Sequence, residues 1–215
     1  ATITDVQGIG EIINDDGVPS ITIDDVTLSE GNAGSTTFSF TVSLSASSSQ
    51  TITVEYATLD GTAEVVDGDY LAVPPTVLTF NPSETSMPVS VTVNGDTKFE
   101  PNESFTVHLF NPNNAFVSDA NGLGTVNNDD AEPTISIDDV SAGEGDAGTT
   151  PFDFHVTISN ASSQTITVQY NTADGSATAA DNDYQNANGT VTFNPGEVNT
   201  LQSILVNGDS KNEAT

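Results

Sequence analysis

Acidic residues recur beside the turn clusters of this chain, and they are the side chains whose type and spacing can do chemistry. Glu30 follows Ser29, and Asp60 stands in Leu59-Asp60-Gly61-Thr62-Ala63. Asp67 and Asp69 precede Tyr70, Asp96 and Glu100 flank Lys98, and Asp129-Asp130 follows Asn128. Further on, the same kinds of position carry Glu144, Asp174, Asp181, Asp183, Asp209 and Glu213. Carboxylates that converge at one end of a fold repel each other unless a cation sits among them. Hard oxygen donors supplied by several loops suit Ca²⁺ rather than a transition metal. A solvated acidic surface that aids solubility or salt tolerance is the competing reading.

Other chemistries find less support. His108 and His155 occupy different positions in their segments, and strand alternation points both away from the core. There is no Cys, so disulfides and thiolate sites are excluded. No Ser-His-Asp arrangement and no phosphate-cradling glycine loop is present. Paired acids can hydrolyse glycosides, but a chain without Trp and with 7% aromatic residues offers little surface for sugar stacking. The expectation is a protein that is not an enzyme. With 31 acidic and 2 basic residues, the net charge of -29 rules out nucleic-acid binding, which needs Lys and Arg to displace counterions. Anionic membrane surfaces repel it for the same reason. No apolar run approaches the ~20 residues of a membrane span, so membrane insertion is not expected. Any export signal would lie outside this stretch. Leu, Ile, Val and Phe form about a quarter of the chain, above the level of disordered sequences.

The elements that must position the acids are repeated. Pro19-Ser20-Ile21-Thr22-Ile23-Asp24-Asp25-Val26 recurs as Pro133-Thr134-Ile135-Ser136-Ile137-Asp138-Asp139-Val140, and Thr51-Ile52-Thr53-Val54 as Thr165-Ile166-Thr167-Val168. Phe80-Asn81-Pro82 returns as Phe193-Asn194-Pro195 after the loss of one residue, and Gly8-Ile9-Gly10 resembles Gly122-Leu123-Gly124. The chain therefore divides into residues 1–18, the last strand of one repeat; 19–130, a complete domain; and 131–215, a domain without its final strands. Runs such as Phe38-Ser39-Phe40-Thr41-Val42-Ser43-Leu44 alternate with period two, and turn residues interrupt them at short intervals. The fold class is all-β, with about seven strands per repeat in an immunoglobulin-like two-sheet sandwich. The junctions Asp16-Gly17-Val18-Pro19 and Asp130-Ala131-Glu132-Pro133 are short and end in proline, so neighbouring domains cannot separate far.

Five pieces in order, Ser29-Glu30-Gly31, Val54 through Ala63, Gly68-Asp69-Tyr70, Leu78 through Glu84 and Asn128-Asp129-Asp130, resemble the Calx-beta domain. This is the Ca²⁺-binding sandwich of sodium–calcium exchanger loops, found also in long surface proteins. The resemblance implies Ca²⁺ bound at one end of the sandwich by Glu30, Asp60, Asp96, Glu100, Asp129 and Asp130. Asn128 and the Lys98 carbonyl would be weaker oxygen donors. In the next repeat it implies Glu144, Asp174, Asp209 and Glu213. Calcium-sensing members carry a run of aspartates where this chain has Asn94-Gly95-Asp96 and Asn207-Gly208-Asp209. Fewer carboxylates imply fewer or weaker ions, in the ~10⁻⁴–10⁻³ M range of extracellular modules. The Asn-Gly pairs read as plain hairpin turns rather than ligands. Lys98 and Lys211, the two basic residues, fall at equivalent positions, and Lys98 is expected to offset repulsion between Asp96 and Glu100.

The reading that results is a Ca²⁺-stabilised rod or filament segment of an extracellular or cell-surface protein. Its partners would be neighbouring repeats or further copies joined head to tail. Two alternatives are an adhesin that binds a receptor or glycan, and a Ca²⁺-sensing regulatory module. The chain is expected to be a window on a longer repeat protein, or else a subunit whose N-terminal strand completes a neighbour's C-terminal domain. Both versions expect residues 3–13 to join a sheet outside domain 19–130.

Overall fold

The computed structural model describes residues 1–211, and no helix forms among them. The first unit is built from β1 (Ser20–Ile23), β2 (Val26–Ser29), β3 (Gly34–Leu44), β4 (Ile52–Asp60), β5 (Thr76–Phe80), β6 (Ser86–Gly95), β7 (Glu103–Asn113), β8 (Phe116–Val117) and β9 (Asn121–Asn127). One sheet has the order β6-β3-β1-β8 and the other β2-β9-β7-β4-β5. Alternation decides which side chains lie between them. Phe38, Phe40 and Val42 of β3, Val89, Val91 and Val93 of β6, and Phe105, Val107 and Leu109 of β7 are all buried. Phe105 sits at the centre, its ring stacked on Tyr70 at 4.6 Å and on Phe38 at 5.8 Å, with Phe40 edge-on at 6.1 Å. Gly124 of β9 lies against this ring, where a Cβ would come within 2.5 Å of it.

Nine strands stand where about seven were expected, and the difference has a local cause. The first strand is split at Asp24-Asp25. β1 runs antiparallel to β3 in one sheet, while β2 runs parallel to β9 in the other. Asp24 Oδ1 accepts from Thr41 N at 2.6 Å and Asp25 Oδ1 from Leu123 N at 2.7 Å, so each acid ties the crossing to one sheet. The two-residue β8 adds to the outer edge of β1.

The second unit holds β10 (Ile135–Ile137), β11 (Gly148–Ile158), β12 (Ile166–Asn171), β13 (Asn188–Phe193) and β14 (Asn199–Gly208). They form sheets β10-β11-β14 and β12-β13 around a small core of Val156, Ile158, Val191 and Phe193. An open cleft lined by Phe152, Phe154, Tyr170 and Ile204 lies where, by the repeat, Phe105 and Val107 of β7 fill the first unit. Residues 1–18 carry no strand, and Ile3, Ile9 and Ile12 are exposed. The sheet pairing expected of residues 3–13 is not formed within the described chain. The slot between β2 and β7 that such a strand would take in the first unit is filled by β9.

Candidate metal centre

The turn after β2 carries Glu30 across from one sheet to the other. Gly31 (φ 87°) and Gly34 (φ 76°) adopt the left-handed conformation that this turn requires. Thr36 Oγ1 closes it by donating to the Glu30 carbonyl at 2.6 Å, as Thr150 does to Glu144 in the second unit. Gly95 lies against the same turn, where a Cβ would be only 2.0 Å from the Gly31 carbonyl oxygen. The Asn-Gly pairs are therefore not plain hairpin turns. Asn94 and Gly95 end β6 opposite Ser35 and Gly34, and the Asn94 amide donates to the Gly68 carbonyl at 2.5 Å. Asn207 does the same to the Asn182 carbonyl at 2.8 Å. Each asparagine holds the neighbouring loop, and each glycine allows close backbone approach.

Asp129 and Asp130 follow β9 and meet Glu30. One oxygen from each of the three carboxylates lies within 4.8 Å of the others. Asp129 Oδ1 also accepts from Gly31 N at 3.2 Å. Glu30 is 5% exposed, and burial first, then the charges of Asp96, Glu100, Asp130 and Asp129, push its carboxyl up to about 7. Burial, Asp129 and Asp96 also raise Asp130. Asp130 Oδ2 is buried and has no hydrogen-bond partner. An orphaned carboxylate oxygen amid like charges is costly in the absence of a cation.

Asp96 stands exposed beside this group, its Oδ1 accepting from Lys98 N at 2.7 Å. Asn128 ties the loops together. Its Oδ1 accepts from Glu100 N at 3.1 Å, and its Nδ2 donates to the Asp130 carbonyl at 3.0 Å. Glu100 faces the other way, forming an ion pair with Lys98 and a second carboxylate group with Asp69 and Glu103. Neither Asp69 nor Glu103 was among the expected ligands. Glu103 begins β7 on the face of Phe105 and Val107, so alternation carried a signal that this acid points inward. Burial, then the charge and hydrogen bond of Asp69, then Glu100, raise it to about 8, with Lys98 opposing.

Asp60 is not brought into either group. Its Oδ1 accepts from the Tyr70 hydroxyl at 2.6 Å and from Val65 N at 3.3 Å. Burial, followed by this bond, pushes the Tyr70 phenol up to about 12. Asp174 repeats the arrangement with Tyr184 at 2.6 Å and Ala179 N at 3.0 Å, and the tyrosine bond lowers its carboxyl. In the second unit Glu144 is half-buried, Asp209 caps Lys211 N at 2.7 Å, and Glu213 lies outside the described residues. Among the described residues of that unit no three acids converge. His108 pairs with Asn121 at 2.8 Å and His155 with Asp138 at 3.0 Å, and neither histidine belongs to the two carboxylate groups.

A double match accompanies this geometry: the Calx-beta domain model fits residues 14–136 and again residues 128–215. The chain belongs to the Calx-beta family. Its two units are tandem Calx-beta β-sandwiches, and the carboxylate groups lie at one end of the first. Solved structures that resemble it include CBD12 from CALX1.2, with TM-score 0.48, 23% identity and coverage of 89% of this chain and 76% of that one. The calcium binding domain CBD12 of CALX1.1 has TM-score 0.47, 23% identity, and coverage of 85% and 74%. The apo-form Calx CBD1 domain has TM-score 0.45 and 26% identity, covering 52% of this chain and 99% of its own. No curated protein matches the chain.

Proposed function

We propose that this chain is a non-enzymatic Ca²⁺-binding tandem module that serves as a structural segment of an extracellular or cell-surface protein. The orphaned, buried Asp130 Oδ2 beside Glu30 and Asp129 carries the reading, because it is an acceptor in need of a cation. The donors are all hard oxygens, which fits Ca²⁺. Asp96 stands beside them as a further ligand, and Glu144 and Asp209 hold the equivalent places in the second domain. Asp60 and Asp174 are kept for their tyrosines. The high net charge and the short junction support a rod of neighbouring repeats, extended by further repeats or copies.

Calorimetric melting tests the reading. At 10 mM, Ca²⁺ stands at ~10–100 times a Kd of ~10⁻³–10⁻⁴ M and stabilises by about 1.4–2.7 kcal/mol, so it should raise the melting temperature several degrees above that in EDTA. The double variant Asp129→Asn, Asp130→Asn should lose most of that rise. Coincident wild-type curves in EDTA and Ca²⁺ would refute the site. A regulatory role is the second reading. It is favoured by one observation: the loop carrying Asp96 and Glu100 also bonds to the second domain, with Phe99 N donating to the Ala161 carbonyl at 2.9 Å. Titration calorimetry separates the two, since a submicromolar site fits a sensor and a weak site fits a rod.

A further inference from the structure

The second carboxylate group has a lysine paired with one of its members. Asp69, Glu100 and Glu103 each bring one oxygen within 4.8 Å of the others, as close as the Glu30 group. Lys98 Nζ pairs with Glu100 Oε1 at their edge, and the side chains are 29% and 9% exposed. The charges of Asp96 and Asp69 bear on the same ammonium, and Lys98 in turn acts on Glu103. Lys98 thus pairs with Glu100 and lies within electrostatic reach of Asp69, Asp96 and Glu103.

Its placement is built into the backbone. The chain has only two basic residues, and both stand two positions after an aspartate that accepts their backbone N–H, Lys98 from Asp96 and Lys211 from Asp209, at 2.7 Å in each case. This turn sets the direction in which the lysine stem leaves the loop. In a chain carrying -29, scattered basic residues would serve a general screening role equally well. Both instead stand three residues beyond the end of equivalent strands, Lys98 after β6 and Lys211 after β14.

We propose that Lys98 is the resident cation of the Asp69–Glu100–Glu103 group and thereby confines Ca²⁺ to the Glu30–Asp129–Asp130 group. The inference rests on the Ca²⁺ reading of that first group. A divalent ion among Asp69, Glu100 and Glu103 would have to approach a like charge, and close like charges repel. Lys98 also acts as a positioning residue. Glu100 is one of the charges that bear on Glu30, and its pairing with Lys98 holds its carboxylate toward the second group. The lysine therefore limits the number of ions as well as neutralising acids.

The test compares the full chain with Lys98→Gln and Lys98→Arg by titration calorimetry with CaCl₂. The glutamine variant should bind one more Ca²⁺ per chain than wild type, and should melt several degrees lower in EDTA but not in Ca²⁺. The arginine variant should keep the wild-type stoichiometry. Equal stoichiometry for Lys98→Gln and wild type would overturn the proposal. If wild type binds no Ca²⁺ but Lys98→Gln binds one, the first-group reading falls and the role of Lys98 stands. If the glutamine variant does not fold, the wild-type ¹⁵N-lysine ammonium signal decides. A Lys98 resonance unmoved by saturating Ca²⁺ supports residence, and a large shift with rapid solvent exchange shows displacement.

Discussion

Phe99 and Ser162 form a parallel β-bridge across the boundary between the two Calx-beta domains. Phe99 N donates to the Ala161 carbonyl at 2.9 Å, and Ser163 N returns a bond to the Phe99 carbonyl at 3.0 Å. Ser162 is 2% exposed, and the Asn160 amide reaches the Ala131 carbonyl at 2.9 Å and the Thr97 carbonyl at 3.4 Å. The segment between Asp96 and Glu100 is therefore both a flank of the carboxylate groups and the docking edge of the next domain.

Ca²⁺ should accordingly stiffen the junction around residues 130–133. Small-angle scattering of the chain should give a longer and narrower distance distribution in Ca²⁺ than in EDTA. Asn160→Ala, which removes the bonds to Ala131 and Thr97, should broaden the distribution under both conditions. Superimposable wild-type distributions would confine the ion's effect to one domain.

Stability without Ca²⁺ should fall as pH rises. Glu30 and Glu103 are raised from 4.5 to about 7 and about 8, so the folded state holds their protons more tightly than the unfolded chain does. Their stabilising contribution is complete below the unfolded value and is lost as pH rises through 7 to 8. In EDTA, melting temperature should decline between about pH 5 and pH 8.5. The increment from Ca²⁺ should grow over the same window, because the ion needs Glu30 ionised. Glu30→Gln should flatten part of the slope. A pH-independent melting temperature in EDTA would contradict the electrostatic account.

Asp60 should prove to be a structural partner of Tyr70. Tyr70 is 1% exposed, so Asp60→Ala strands its hydroxyl and should cost about 1–3 kcal/mol in urea unfolding. Tyr70→Phe removes the donor as well and should cost about 1 kcal/mol. The double variant should be less destabilised than the two single costs added together, since both disrupt the same bond. Asp60→Asn should keep the Ca²⁺-dependent rise in melting temperature, and its loss would return Asp60 to the ligand set.

Composition, period-two alternation and internal repetition were enough to determine an all-β pair of sandwiches, because each reports local physics that holds in any context. That Glu30, Asp129 and Asp130 lie near the rims was legible too, since they stand just beyond strand ends, and the resemblance to Calx-beta domains implied that they share one end. Tertiary structure alone decided how the acids divide. Asp60 turns to Tyr70 because that ring packs on Phe105, and Glu103 is drawn to Asp69 because β7 brings the two loops together. Asn94-Gly95 matches a turn dipeptide, yet it ends a strand because Gly31 needs the missing Cβ beside its carbonyl. The split at Asp24-Asp25 likewise depends on Thr41 and Leu123, which lie in different sheets. Each of these outcomes is set by burial and hydrogen-bond partners distant in sequence, and spacing along the chain carries no record of which loops will meet.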